Sequence, residues 1–81
     1  MKMKITDLKE SETLSNFYAI NVGEYYVRPR DTMGTVWLKR SDYNDDNNPN
    51  AVNVLSGEVD RHSSSSLCHR VETLTIENGE I

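Results

Sequence analysis

Apolar residues in this chain come in short alternating runs, and their period is that of β-strands. Val52 and Val54 alternate with small or polar neighbours, and Val59 follows a Ser56-Gly57 pair. This predicts a half-buried strand, a tight turn with Gly57 at positive φ, and a second strand. A two-residue turn would pair Leu55 with Glu58, Val54 with Val59 and Val52 with Arg61. The chain is organised around this hairpin.

A second hairpin is predicted upstream. Val22-Gly23 reads as a turn. Glu24 to Arg30 is rich in aromatic and β-branched residues, with Pro29 marking an edge or the end of the strand. Asp31 to Gly34 has turn composition, and Thr35 to Ser41 supplies the returning strand. Leu67 to Ile76 is a last strand anchored by Val71, Leu74 and Ile76. Val71 and Leu74 differ in parity, so that strand either contains a bulge or packs on both faces. Glu77 to Glu80 reads as a turn or frayed tail.

The N-terminal residues 1–21 are less regular. Leu14, Phe17 and Tyr18 have i, i+3, i+4 spacing, which predicts a short helix with Ser11 as N-cap; a strand through Phe17–Ile20 is the alternative. Residues 42–50 and 61–66 are polar and are expected to be flexible loops. About five short strands at close spacing predict an all-β fold, a small barrel forming one domain over residues 1–81, with one helical turn near the N-terminus.

Composition narrows the function classes. With 81 residues the chain is near the lower limit for folding alone, and oligomerisation is a natural way to bury more surface. Thirteen acidic against nine basic residues give a net charge of −4, which argues against a general duplex-DNA binder. A single cysteine, Cys68, allows no intramolecular disulfide and fits a reducing, cytoplasmic setting. The N-terminus has positive charge but no apolar run after it, so no secretory signal is expected, and no stretch has the length of a membrane span.

The upstream hairpin holds the candidate site. Pairing Arg30 with Thr35 sets Arg28 against Trp37 and Tyr26 against Lys39. One face then carries Tyr25, Val27, Pro29, Val36 and Leu38 and reads as core. The other carries Tyr26, Arg28, Arg30, Trp37 and Lys39. Aromatic rings beside cations suit a protein hot spot, or single-stranded nucleic acid with bases stacked on the rings. The plainer reading is a solvated sheet face held by cation–π and cross-strand pairs.

Other constellations carry less. Asp42, Asn44, Asp46, Asn48 and Asn50 place oxygens at alternate positions, as in a calcium loop, but Asn47 stands where Gly is needed and Asn53 where a bidentate Glu is needed. Asp60, His62, Cys68 and His69 lack zinc spacing, and adjacent Cys68 and His69 point to opposite faces of a strand. The same pair lacks the context of a Cys/His nucleophile, and Ser63–Ser66 has no GxSxG frame. Nothing in the spacing selects a pair from Glu24, Glu58, Asp60 and Glu72 for hydrolysis. No cofactor or metal is expected, and binding is favoured over catalysis.

Three runs together resemble a set of small uncharacterised phage-type proteins. They are Val22-Gly23-Glu24-Tyr25-Tyr26, Val36-Trp37-Leu38-Lys39, and Ala51 through Glu58, about half the chain. The resemblance implies an SH3-like barrel and a phage or mobile-element origin, and transfers no functional residue. The expected function is a small accessory protein that binds a host protein, with inhibition as one outcome, through the Tyr26/Arg28/Arg30/Trp37/Lys39 face. A single-stranded nucleic-acid module and a structural or homo-oligomeric subunit are the alternatives.

Overall fold

The longest regular elements are the two ends of the chain, paired with each other. β1 (Lys2–Asn16) runs antiparallel to β6 (Leu67–Gly79), from Lys2 opposite Gly79 at the tip to Asn16 opposite Leu67 at the base. Between them lie a 3-10 turn (Phe17–Ala19), β2 (Tyr25–Val27), β3 (Trp37–Lys39), β4 (Ala51–Asn53) and β5 (Val59–Asp60). All six strands join one antiparallel sheet in the order β1-β6-β2-β3-β4-β5. The computed structural model describes the main chain of residues 2–31, 34–41 and 48–79, and the side chains of those between 4 and 77. The fold is all-β, as the alternating pattern predicted, with the sheet wrapped over a small core.

The N-terminal segment differs from expectation. Ser11–Asn16 is strand, paired through Leu14, Ser15 and Asn16 with His69, Cys68 and Leu67. Tertiary pairing overrides the helical spacing, and of Leu14, Phe17 and Tyr18 only Phe17 is buried. A helical turn does exist, but it starts at Phe17, and its N-cap Asn16 makes no side-chain capping bond.

Both hairpins pair two positions away from the expected register. Tyr25 faces Leu38 and Tyr26 faces Trp37; Ala51 faces Asp60 and Val52 faces Val59. The loops are longer than composition suggested. In the second hairpin the Asn53 side chain accepts from Leu55 N (3.0 Å) and Ser56 N (3.2 Å), while Gly57 N donates to Asn53 O (2.8 Å). Asn53 N closes the loop on Glu58 O at 2.7 Å, with Gly57 at φ +77. A slip of two preserves the face of every side chain, whereas a slip of one would have inverted them all.

β6 extends through Gly79, so Glu77 to Gly79, expected as a turn or frayed tail, lies in strand opposite Lys4 to Lys2. Its parity conflict is resolved by a bulge. Lys9 pairs with Thr73 and Glu10 with Val71, leaving Glu72 extra on β6. The serine segment is tied down rather than free. Ser66 O accepts from Phe17 N (2.8 Å) and Ser64 O from Tyr18 N (3.1 Å), and His62 is buried. Of the 42–50 loop, residues 42–47 lie outside the described residues.

Candidate functional site

The pleat puts Tyr26 (β2), Trp37 and Lys39 (β3), Ala51 (β4) and Cys68 (β6) on one face of the sheet, where they are buried. Phe17 and Ile20 cover them from the 3-10 turn. Tyr26, Trp37 and Lys39 are 0%, 7% and 1% exposed. The face expected to meet a partner is therefore the inside of the molecule. The physical reason is area: Tyr and Trp bury more apolar surface than the valines of the opposite face, provided their polar tips find partners.

Those partners come from residues that sequence reasoning left in loops. The ring of His62 sits among Phe17, Tyr26 and Trp37, with centroids 5.9, 5.8 and 4.5 Å away and edge-on geometry. Its Nδ1 lies 2.5 Å from the Tyr26 hydroxyl, and its Nε2 lies 3.5 Å from Asp60 Oδ2. A neutral ring with the carboxylate beside Nε2 carries its proton there, so Nδ1 accepts from Tyr26. Burial, reinforced by the Arg28 charge, pushes the His62 imidazolium pKa down to about 4, and burial pushes the Tyr26 phenol up. Asn50 holds His62 in place by mimicking a strand neighbour: its Oδ1 accepts from His62 N (2.8 Å) and its Nδ2 donates to His62 O (2.9 Å). Asn50 is thus a buried structural amide rather than the outermost oxygen of a calcium loop.

Asp31, read from sequence as a turn residue, fastens the open end. Its carboxylate accepts two bonds from Arg28 (2.8 and 2.9 Å) and one from Trp37 Nε1 (2.8 Å). Burial opposes its ionisation, but the Arg28 guanidinium and the Trp37 indole N–H together hold its carboxyl below the usual range. The Arg28 guanidinium also lies over the Trp37 ring, 5.4 Å from the centroid, so the Arg28/Trp37 neighbourhood expected from sequence is real. Lys39 Nζ donates to Phe17 O (3.1 Å) and Ile20 O (2.6 Å) and sits 4.5 Å from the Phe17 ring centroid. Of the five predicted site residues, Arg30 alone is exposed. Arg30 lines a cleft of about 480 Å³ with Arg28, Pro29, Leu67 and the hydroxyls of Ser63, Ser65 and Ser66.

The reactive side chains do not converge. Cys68 is fully buried, its thiol is pushed up to about 11 by burial, and its Sγ donates toward Ser66 O at 3.5 Å. The ring of His69 donates from Nδ1 to Ser11 O (2.8 Å). Glu24 is engaged by Asn21 N (2.7 Å), Glu72 by Lys9 (3.7 Å), and Asp60 by Arg61 N (2.8 Å). Among the described residues no three of His, Cys, Asp and Glu gather as a metal site.

The opposite face, assigned to the core, is only partly buried: Val27 and Val36 are buried, Leu38 is half-buried, and Tyr25 and Pro29 are exposed. Val59 pairs with Val52, Val52 with Leu38, and Leu38 with Tyr25. Val71 follows on β6, one position along from the Tyr26–Arg70 pair. These residues form an apolar row across β5, β4, β3, β2 and β6. Val59 and Tyr25 are 51% and 39% exposed, and Val52, Leu38 and Val71 are half-buried. Val27 and Val36 are buried, and Val27 lines a cleft beside Arg28 and Glu10. Both faces of the sheet are rich in apolar residues, so hydrophobicity carried no signal about which one points inward.

No helix among the described residues is long and apolar enough to cross a membrane. Comparison with protein-family models, curated proteins and solved structures gives no match.

Proposed function

We propose that this is a non-enzymatic binding protein that docks on another protein through the outer row Val59–Val52–Leu38–Tyr25–Val71. The observation that carries the reading is the row itself. It is a continuous apolar strip across five strands that includes the aromatic Tyr25, with Val59 and Tyr25 exposed and the other three half-exposed. An apolar strip that includes an exposed Tyr is the composition of an interface centre. The inward placement of Cys68, Tyr26 and His62 supports binding over catalysis, because Tyr26 bonds to His62, Cys68 to Ser66 O, and none of the three is open to a substrate. The phage-type resemblance directs the choice of partner to a host protein, with inhibition as the consequence of docking, in a cytoplasmic setting.

The single-stranded nucleic-acid alternative has less support. Tyr26 and Trp37 are interior and offer no ring to a base, which leaves Arg30 beside the serines as its remaining contact.

The test is affinity capture from bacterial lysate with wild type, Tyr25→Glu and Tyr18→Ser, each with and without nuclease. The reading expects one retained protein, resistant to nuclease, lost with Tyr25→Glu and kept with Tyr18→Ser, which lies off the row. Capture unaffected by Tyr25→Glu overturns the choice of face. Capture abolished by nuclease moves the function to nucleic acid.

A further inference from the structure

The sheet has two outer strands of very different length. β5 is two residues long, which is one way a protein blunts an edge. β1 is fifteen residues long, and β6 is its only strand partner among the described residues. One line of β1 main-chain N–H and C=O groups therefore faces away from the sheet, and no residue from Lys4 to Asn16 is buried.

The charges along that edge alternate in sign: Lys2 and Lys4, then Asp7, then Lys9, then Glu10 and Glu12. We propose that β1 pairs antiparallel with β1 of a second copy, about a twofold axis at Leu8. In that register Leu8 meets Leu8 on the axis and each Asp7 faces a Lys9. Within the regular stretch neighbouring registers lose this match. Moving the axis to Asp7 sets two carboxylates face to face there, and its Lys4–Glu10 and Lys2–Glu12 pairings lie across the register shifts; moving it between Leu8 and Lys9 sets Asp7 against Glu10. A parallel, in-register pairing places every charge against itself. The regular part of the ladder agrees with the choice: Asp7, Leu8 and Lys9 pair without interruption with Thr75, Leu74 and Thr73, and a register shift lies on either side. Lys9 lies 3.7 Å from Glu72, both well exposed, a contact weak enough for Lys9 to turn to the second copy. An isologous contact of this kind uses the same edge on both copies and so closes as a dimer rather than growing into a fibre. It leaves the outer apolar row free, so it stands or falls apart from the docking reading.

Sedimentation equilibrium over a wide concentration range tests the proposal. Wild type, Asp7→Lys and the double variant Asp7→Lys/Lys9→Asp are compared, with circular dichroism confirming the fold of each. Wild type is expected to approach twice the monomer mass as concentration rises. Asp7→Lys turns two symmetry-related attractions into repulsions and should weaken dimerisation by about tenfold or more. The double variant restores opposite charges in the same register and should recover the dimer. A monomer at every concentration overturns the proposal, as does a dimer indifferent to Asp7→Lys or one that the double variant fails to restore.

Discussion

The body of the sheet and the β1/β6 ribbon reach order by different means. The body, built on strands of two or three residues, is held by side chains: an aromatic box around His62, the Arg28–Asp31–Trp37 clamp, and Lys39 bonded to two carbonyls. The ribbon is held by main-chain pairing, and its side chains from Lys4 to Asn16 are exposed or half-exposed. A straight strand of β1's length would reach roughly 45–50 Å, yet the longest dimension of the protein is 38 Å. Three register shifts bend the ribbon to fit. A two-stranded ribbon alone is marginal in water, so this one depends on its base, where the Asn16–Leu67 pair adjoins the buried Phe17 and Cys68. The lesson is that a small chain with few apolar residues concentrates its packing specificity in one box and extends from it with backbone hydrogen bonds.

The largest effect should come from opening the box. Trp37→Ala removes a 7%-exposed ring packed on His62 and orphans the Asp31 carboxylate's third bond. It should lose about 3–5 kcal/mol in denaturant unfolding, enough to unfold most of a domain this small. Near-native stability in that variant would mean that the box is not what holds the body together.

Acid should act on the same box with a smaller effect. His62 binds its proton near pH 4 in the folded protein, against 6.5 for a free imidazole. The unfolded chain therefore takes up more protons below pH 6.5, and stability falls as pH drops from 6.5 towards 4, by on the order of 3 kcal/mol. Asp31, held below the usual carboxylate range, adds to the loss at still lower pH. Chemical denaturation at a series of pH values measures the slope, and His62→Gln should flatten it between pH 6.5 and 4. A slope unchanged by that variant would place the acid sensitivity elsewhere.

The smallest effect belongs to the ribbon. Glu72→Ala removes the exposed ion pair with Lys9 and should shift stability by less than about 0.5 kcal/mol. A loss several times larger would show that the ribbon, too, relies on its side chains, and would erase the contrast with the body.

Much of the architecture was legible in the chain. Period-2 runs placed strands at Tyr25–Val27, Trp37–Lys39, Ala51–Asn53 and from Leu67 onward, and the glycine at position 57 takes the positive φ its turn needs. The parity conflict between Val71 and Leu74 foretold the bulge at Glu72. The partition of side chains between the two faces of the first hairpin also survived, because the register differed by two positions and not by one.

What the sequence determined by itself was thus the strands from Tyr25 onward and which side chains travel together, since both follow from local periodicity and turn chemistry; β1, with no clear alternation, forms only by pairing with β6. Which face turns inward was decided only by the tertiary structure. Tyr26, Trp37 and Lys39 carry polar groups that would be costly to bury alone. They become core because His62 arrives from the serine segment, Asp31 from the preceding loop, and the Phe17 and Ile20 carbonyls from the 3-10 turn. Each lies too far along the chain, or in too irregular a segment, for spacing to announce the meeting. The burial of a polar side chain depends on its distant partners, and those become neighbours only when the chain has closed around them.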